Sequence, residues 1–217
     1  MSRFRVALSG DFLNPDGSPA YPMFDLTPLN EARDIEVEYV APVDGRMTAE
    51  SLADFDALIL LAARFDANSI PTDGRLGLVA RFGVGYDTVD VEACSKAGIG
   101  LVITPDGVRR PVAVAILTFI LALSGKLFDK DKLTRQGPAG FAKRSNHMGM
   151  GLVGRTLGSI GIGNIGAETF RMCTPLEMKF LAHDPWADPE VARDIGVQLV
   201  DLNTLFRESD FLSLIHI

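Results

Sequence analysis

A short apolar run, Thr156–Ile160, ends on Gly161-Ile-Gly163-Asn-Ile-Gly166 and gives way at once to helical spacing over Ala167–Met172. Strand, glycine turn and helix in that order leave few folds open, because the chain must reverse within a few residues and lay the helix back along the strand. In such a unit Gly161 makes the tight turn, and Gly163 lets a pyrophosphate approach the backbone. Gly166 permits close packing of helix on strand. Free N–H groups of the loop, those of Asn164 and Ile165 included, then hold the diphosphate with the positive end of the helix dipole.

The same spacing occurs a little earlier, at Gly149-Met-Gly151-Leu-Val-Gly154. That match follows the polar Ser145-Asn146-His147 and leads into a strand, so no helix N-terminus would face a phosphate there. Context therefore selects the later loop. Asp184 ends the next strand, close to the roughly 20 residues beyond the glycines at which an acid accepts hydrogen bonds from the adenosine ribose. A carboxylate at that point repels a 2′-phosphate. Pro185 and Trp186 follow it, with no arginine. The expected cofactor is NAD rather than NADP.

Alternation of strand and helix continues through the chain. Arg5–Leu8, Ile35–Val40, Ala57–Leu61, Leu78–Arg81 and Leu101–Ile103 read as strands. Helices are expected at Ala49–Phe55, with Thr48 as N-cap, and at Thr88–Ala97, ended by Gly98. Thr104-Pro-Asp-Gly107 breaks the pattern, and a long apolar helix is expected from Pro111 to Phe128, buried in the core. Asp129–Met150 is polar and reads as a surface excursion. A second series then follows: strand at 156–162, helix at 167–172, strand at 179–183, helix at 189–195, strand at 198–200, helix at 202–208 and strand at 211–214. The fold class is α/β, with two Rossmann-like doubly wound parallel-sheet domains: a flavodoxin-like one over 1–107, and a dinucleotide-binding one over 108–217 that is incomplete.

Composition excludes other classes. A net charge of −7 argues against a nucleic-acid groove or an anionic membrane as partner. The N-terminus carries no signal-peptide pattern, and the run Val112–Ser124 falls short of about 20 apolar residues. Cys94 and Cys173 stand alone, without metal-ligand spacing, which fits a reducing cytoplasm and no metal.

Three segments together resemble the D-isomer-specific 2-hydroxyacid dehydrogenases of the phosphoglycerate dehydrogenase-like kind. They are Ala80-Arg-Phe-Gly-Val-Gly-Tyr-Asp-Thr-Val-Asp90, Ile103-Thr-Pro105 with Val112–Leu123, and Val153–Gly166 continued to His183-Asp184-Pro185. The resemblance implies an oxidoreductase acting on the CH–OH group of a small D-2-hydroxy acid, or reducing a 2-oxo acid, between a substrate domain and an NAD domain. It implies that Val84 and Gly85 offer backbone N–H groups to the substrate carboxylate; a Gly-X-Gly turn after a strand can form such an anion-binding nest, but by spacing alone the loop reads as a plain βα turn. Arg64 lies where relatives often place a polar substrate-binding residue, and it also reads as a solvated loop arginine. The long helix would suit the homodimer contact of the family. Val114 stands where relatives carry Glu, Arg109-Arg110-Pro111 is unusual, and Glu177 replaces a Gly.

His183 reads as packing or as lining the adenosine site. His147 falls in the polar excursion and His216 just past the last strand. None is expected to be catalytic, and no acid–base histidine with a carboxylate to tune it is identifiable. The resemblance places the catalytic Arg, Glu and acid–base His beyond Ile217. Four strands from Thr156, against six in the full sheet, leave two units of about 30 residues each unaccounted for. The expectation is a C-terminally truncated fragment that is inactive as it stands. The alternative is a non-catalytic NAD-binding scaffold or sensor.

Overall fold

The computed structural model describes residues 3–214, so His216 lies outside the described residues. The chain divides into two compact units, Met1–Pro105 and Asp106–Ile217.

In the first unit, β1 (Phe4–Ser9), β2 (Ile35–Val40), β3 (Ala57–Leu60), β4 (Leu78–Arg81) and β5 (Gly100–Val102) form one sheet in the order β2-β1-β3-β4-β5. Every pairing is parallel. This is the flavodoxin-like order. The sheet's middle is apolar on both faces, as parallel strands covered by helices require: Leu8, Leu58, Leu60 and Val79 are fully buried. Between β1 and β2 lies the short α1 (Thr27–Asn30). α2 (Val91–Ala97) starts later than the expected Thr88, because the Asp90 side chain accepts from Ala93 N and caps the helix there. Its end falls at Gly98, in the left-handed conformation at φ 71°.

The expected helix at Ala49–Phe55 is absent. Thr48 does cap, its Oγ1 accepting from Ser51 N at 3.2 Å, but only single turns follow. The Thr48 and Ser51 hydroxyls also bond to each other, and Ser51 Oγ donates back to Thr48 O, so side chains compete with the helix ladder. Asp54 then turns to φ 68°, its N–H tied to Asp73 Oδ2.

The second unit opens with α3 (Pro105–Ser124), six residues earlier than the helix expected from Pro111. Pro105 takes the first helical position, where its missing N–H costs nothing. Pro111 therefore lies inside the helix and forfeits one bond near its start. Nor is α3 the buried helix expected. Ala113, Ile116, Leu117 and Ile120 pack inward, while Phe119, Leu121 and Leu123 are exposed. At 20 residues it is also long and apolar enough to cross a membrane, against the sequence expectation.

The polar excursion is largely helical, as α4 (Leu127–Arg135), α5 (Pro138–Ala142) and a 3-10 turn at Arg144–His147. β6 (Thr156–Ile160), α6 (Asn164–Cys173), β7 (Lys179–His183), α7 (Pro189–Asp194), β8 (Val197–Leu199), α8 (Leu202–Glu208) and β9 (Phe211–Ser213) follow. The sheet order is β8-β7-β6-β9, all parallel. It is the 3-2-1-4 start of the dinucleotide-binding order, with its switch point between β6 and β9. Phe170 of α6 and Phe180 of β7 meet at 5.2 Å between ring centroids, locking helix to sheet. Glu177 adopts φ 54°, a conformation that favours glycine, so its departure from the family's residue carries a local backbone cost.

Candidate functional site

The glycine loop leaves β6 at the switch point, where open parallel sheets bind ligands. Its first half is pinned. Gly161 sits at φ 91°, its N–H donates to His183 O at 2.9 Å, and its carbonyl accepts from Ser159 Oγ at 2.8 Å. A Cβ on Gly166 would lie 2.7 Å from Gly161 O, so the third glycine is required for the helix to close on the turn. A Cβ on Gly163 would meet nothing within 4 Å. The space beside it is open, as a cradle for a pyrophosphate must be.

The start of α6 lacks the side-chain cap that three other helices carry. α2, α7 and α8 are each capped by an aspartate, Asp90, Asp188 and Asp201, whose side chain accepts a first-turn N–H. α6 has Gly163 as N-cap and no side-chain cap. Among the described residues the N–H groups of Asn164, Ile165 and Gly166 therefore have no acceptor at the helix N-terminus, where an external anion is favoured. The earlier glycine run does something else: Met150 N donates to Ser124 O and Gly154 N to Glu177 O, joining the end of α3 to the approach of β6.

Asp184 faces the loop. Its Oδ2 accepts from Ile162 N at 3.0 Å and its Oδ1 from Trp186 N at 3.0 Å. Each oxygen keeps a second acceptor position, so the group can take ribose hydroxyls without letting go of the loop. The residues present fit NAD. Asp184→Ala is expected to weaken NADH about 10- to 100-fold, since hydrogen bonds to a charged acceptor contribute about 1.5–3 kcal/mol. NADPH should lose less, because repulsion of its 2′-phosphate disappears too. Equal or tighter binding of NADPH by the unmutated protein, in paired titrations, would overturn the assignment.

His183 Nδ1 lies 3.0 Å from Val200 O, which orients the ring at the end of β7. His147 Nδ1 lies 3.8 Å from Asp129 Oδ2. Asp129 is exposed and His147 half-buried, and both lie on the helical excursion rather than at the carboxyl edge of the sheet. Arg110, unusual in sequence, pairs with Glu168 of α6, and this guanidinium holds the Glu168 carboxyl below the usual carboxylate range. Burial pushes the Cys173 thiol up to about 11 and raises that of Cys94 as well, so neither is poised as a nucleophile.

In the first unit, Gly83 adopts φ 136° and its N–H donates to Thr104 Oγ1 at 2.9 Å. Among the described residues the N–H groups of Val84 and Gly85 have no acceptor, and Gly85 is exposed. Arg64 is exposed and makes no ion pair among the described residues. It borders a cleft of about 540 Å³ with Val43, Asp44, Gly45, Arg46 and Thr48. A smaller cleft of about 230 Å³ joins it to Asp66 and Asp87–Asp90. Val84 and Gly85 line neither cleft, so the structure does not gather all three expected substrate residues around one of these hollows.

What holds Arg64 in place is not among the sequence expectations. Ser9 Oγ accepts from Leu61 N at 2.9 Å, and Asp11 Oδ2 accepts from both Ala62 N and Ala63 N. Arg64 N donates to Gly45 O and Phe65 N to Thr88 O. Five successive N–H groups are thus bound, and the backbone that presents the free guanidinium is rigid. A polar Ser-Gly-Asp directly after an apolar strand was the available signal.

A doubly wound sheet with an uncapped glycine turn and an acid at the end of the neighbouring strand defines a dinucleotide-binding α/β protein. Residues 117–216 match the family model of the D-isomer specific 2-hydroxyacid dehydrogenase NAD binding domain. The chain is 32% identical over 180 residues to a D-3-phosphoglycerate dehydrogenase of Archaeoglobus fulgidus, covering 82% of this chain and 34% of that one. It is 32% identical over 195 residues to a glyoxylate reductase of Thermococcus onnurineus, covering 86% and 58%. The structure of D-lactate dehydrogenase from Aquifex aeolicus, complexed with NAD and lactic acid, superposes with a TM-score of 0.75 at 22% identity, over 95% of this chain and 59% of that one. The chain belongs to the D-isomer-specific 2-hydroxyacid dehydrogenase family, and its second unit is an NAD-binding domain. It spans about a third to somewhat over half of the length of these curated relatives.

Proposed function

We propose that the protein serves as an NAD-dependent oxidoreductase of a small D-2-hydroxy acid or the corresponding 2-oxo acid. The observation that carries this reading is the uncapped N-terminus of α6 beside an open Gly163, with Asp184 fixed against the same loop. When bound, NAD supplies the nicotinamide that exchanges a hydride. Gly161, Gly163, Asn164, Ile165 and Gly166 hold the pyrophosphate, and Asp184 the adenosine ribose. Val84 and Gly85 receive the substrate carboxylate on their free N–H groups, and Arg64 adds a cation to the substrate side. The names of the matched relatives, a glyoxylate reductase and a D-3-phosphoglycerate dehydrogenase, support a small 2-hydroxy or 2-oxo acid as substrate. Two unpaired buried thiols support a cytoplasmic setting.

The outward face of α3 and its continuation, with Phe119, Leu123, Leu127 and Phe128 exposed, supports a homodimer over a membrane contact, since Asp106, Arg109 and Arg110 lie on the same helix. Sedimentation at micromolar concentration should give twice the single-chain mass, and Leu123→Glu should halve it. A monomer before substitution would remove the dimer. The function itself is tested by calorimetric titration of NAD into the folded protein and by NADH oxidation with small 2-oxo acids. Absence of NAD binding by folded protein would overturn the reading.

A further inference from the structure

Trp186 is the chain's one tryptophan, and it stands 91% exposed next to the carboxylate assigned to the ribose. An indole offers about 150–250 Å² of mostly apolar surface, and leaving it in water forgoes a large burial free energy. Its attachment is not loose. The Trp186 N–H donates to Asp184 Oδ1 at 3.0 Å, while the other oxygen of Asp184 holds Ile162 of the glycine loop. Pro185 fixes the backbone between them. Two residues on, Asp188 caps α7 by accepting from Glu190 N at 2.8 Å. The backbone that carries the indole is therefore set by the acid at one end and by a helix cap at the other, and only two side-chain torsions remain free.

That arrangement joins two parts of one recognition surface. A ribose bound at Asp184 through its 2′- and 3′-hydroxyls carries its base on the adjacent C1′ carbon, which brings the adenine within a tryptophan side chain's reach of residue 186. The adenine has a flat π-face and needs no hydrogen-bond code to be held on an aromatic ring. We propose that Trp186 stacks on the adenine of bound NAD. This inference rests on the NAD reading above and assigns the residue that recognises the base.

Because the tryptophan is single, its emission reports the contact directly. Emission should fall on saturation with NAD or ADP-ribose, and should stay unchanged with nicotinamide mononucleotide, which has no adenine. Trp186→Ala should weaken NAD and ADP-ribose about 5- to 100-fold by calorimetry, the range that removal of a base-stacking aromatic commonly gives. Trp186→Phe should retain most of the affinity, and all three proteins should bind nicotinamide mononucleotide alike. Calorimetric NAD binding with unchanged emission, and no loss in Trp186→Ala, would overturn the stacking while leaving the NAD reading intact. An equal loss for nicotinamide mononucleotide would show that Trp186 supports the turn rather than the base, and would overturn it as well. Folded protein that binds no NAD would remove both.

Discussion

Gly163→Val is expected to weaken NAD binding by at least about 100-fold and to leave the fold standing, whereas Gly151→Val should change neither. The two positions make a matched pair. A Cβ at either would meet nothing within 4 Å, and neither glycine has a positive φ, so a side chain is sterically tolerated at both. They differ in what lies beyond. Gly163 caps α6, and the open space beside it adjoins three N–H groups that have no acceptor among the described residues. A valine there fills that space and holds the pyrophosphate away from them. Losing two hydrogen bonds to a charged group at about 1.5–3 kcal/mol each corresponds to roughly a hundredfold or more. Gly151 leads into a strand, with no helix start behind it. Calorimetry of both variants, with thermal melts to show that each is folded, decides the matter. Equal losses at the two positions would mean that the wrong loop has been assigned.

What could be read from sequence follows how local each requirement is. The glycine loop was legible because turn, approach and packing each call for the missing side chain within six residues, and the structure shows the positive φ of Gly161 and the close packing at Gly166. The end of α2 at Gly98 was legible for the same reason. The start of α3 was not, because Pro105 and Pro111 are both acceptable first residues and only tertiary packing chooses between them. Its exposed face was missed by a sound rule wrongly applied: a helix apolar nearly all round is usually buried, but sequence does not say by what. Residues 49–55 were misread because the Thr48–Ser51 hydroxyl pair competes with the helix and a distant carboxylate, Asp73, holds Asp54 in its turn. The Ser9 and Asp11 clasp on residues 61–63 joins positions some fifty residues apart, which no periodicity reveals.

A polypeptide of these 217 residues is expected to bind NAD and yet to reduce 2-oxo acids at a rate close to background. Reduction requires a cation that holds the carboxylate and polarises the carbonyl, and an acid that protonates the developing alkoxide, both set against the nicotinamide. The first unit offers the free N–H groups of Val84 and Gly85 and the unpaired Arg64, which can hold a carboxylate. The acid is the weaker part. His183 is oriented by Val200 O on the adenosine side of the loop. His147 has Asp129 at 3.8 Å, but the pair lies on the helical excursion with Asp129 exposed and His147 only half-buried, where water competes for the proton. Loss of one positioned acid–base group typically costs about 10²–10⁴-fold. Loss of an arginine that polarises the carbonyl adds to it, since such groups act where charge develops. NADH oxidation with glyoxylate and hydroxypyruvate should therefore be measurable for a chain that carries a full six-stranded nucleotide sheet, and hundreds-fold slower or more for residues 1–217. Turnover of the two within about tenfold of each other, less than the loss of a single acid–base group, would place the acid inside this chain. His147→Ala would then be the first variant to make, because that imidazole alone among the described residues already has a carboxylate beside it.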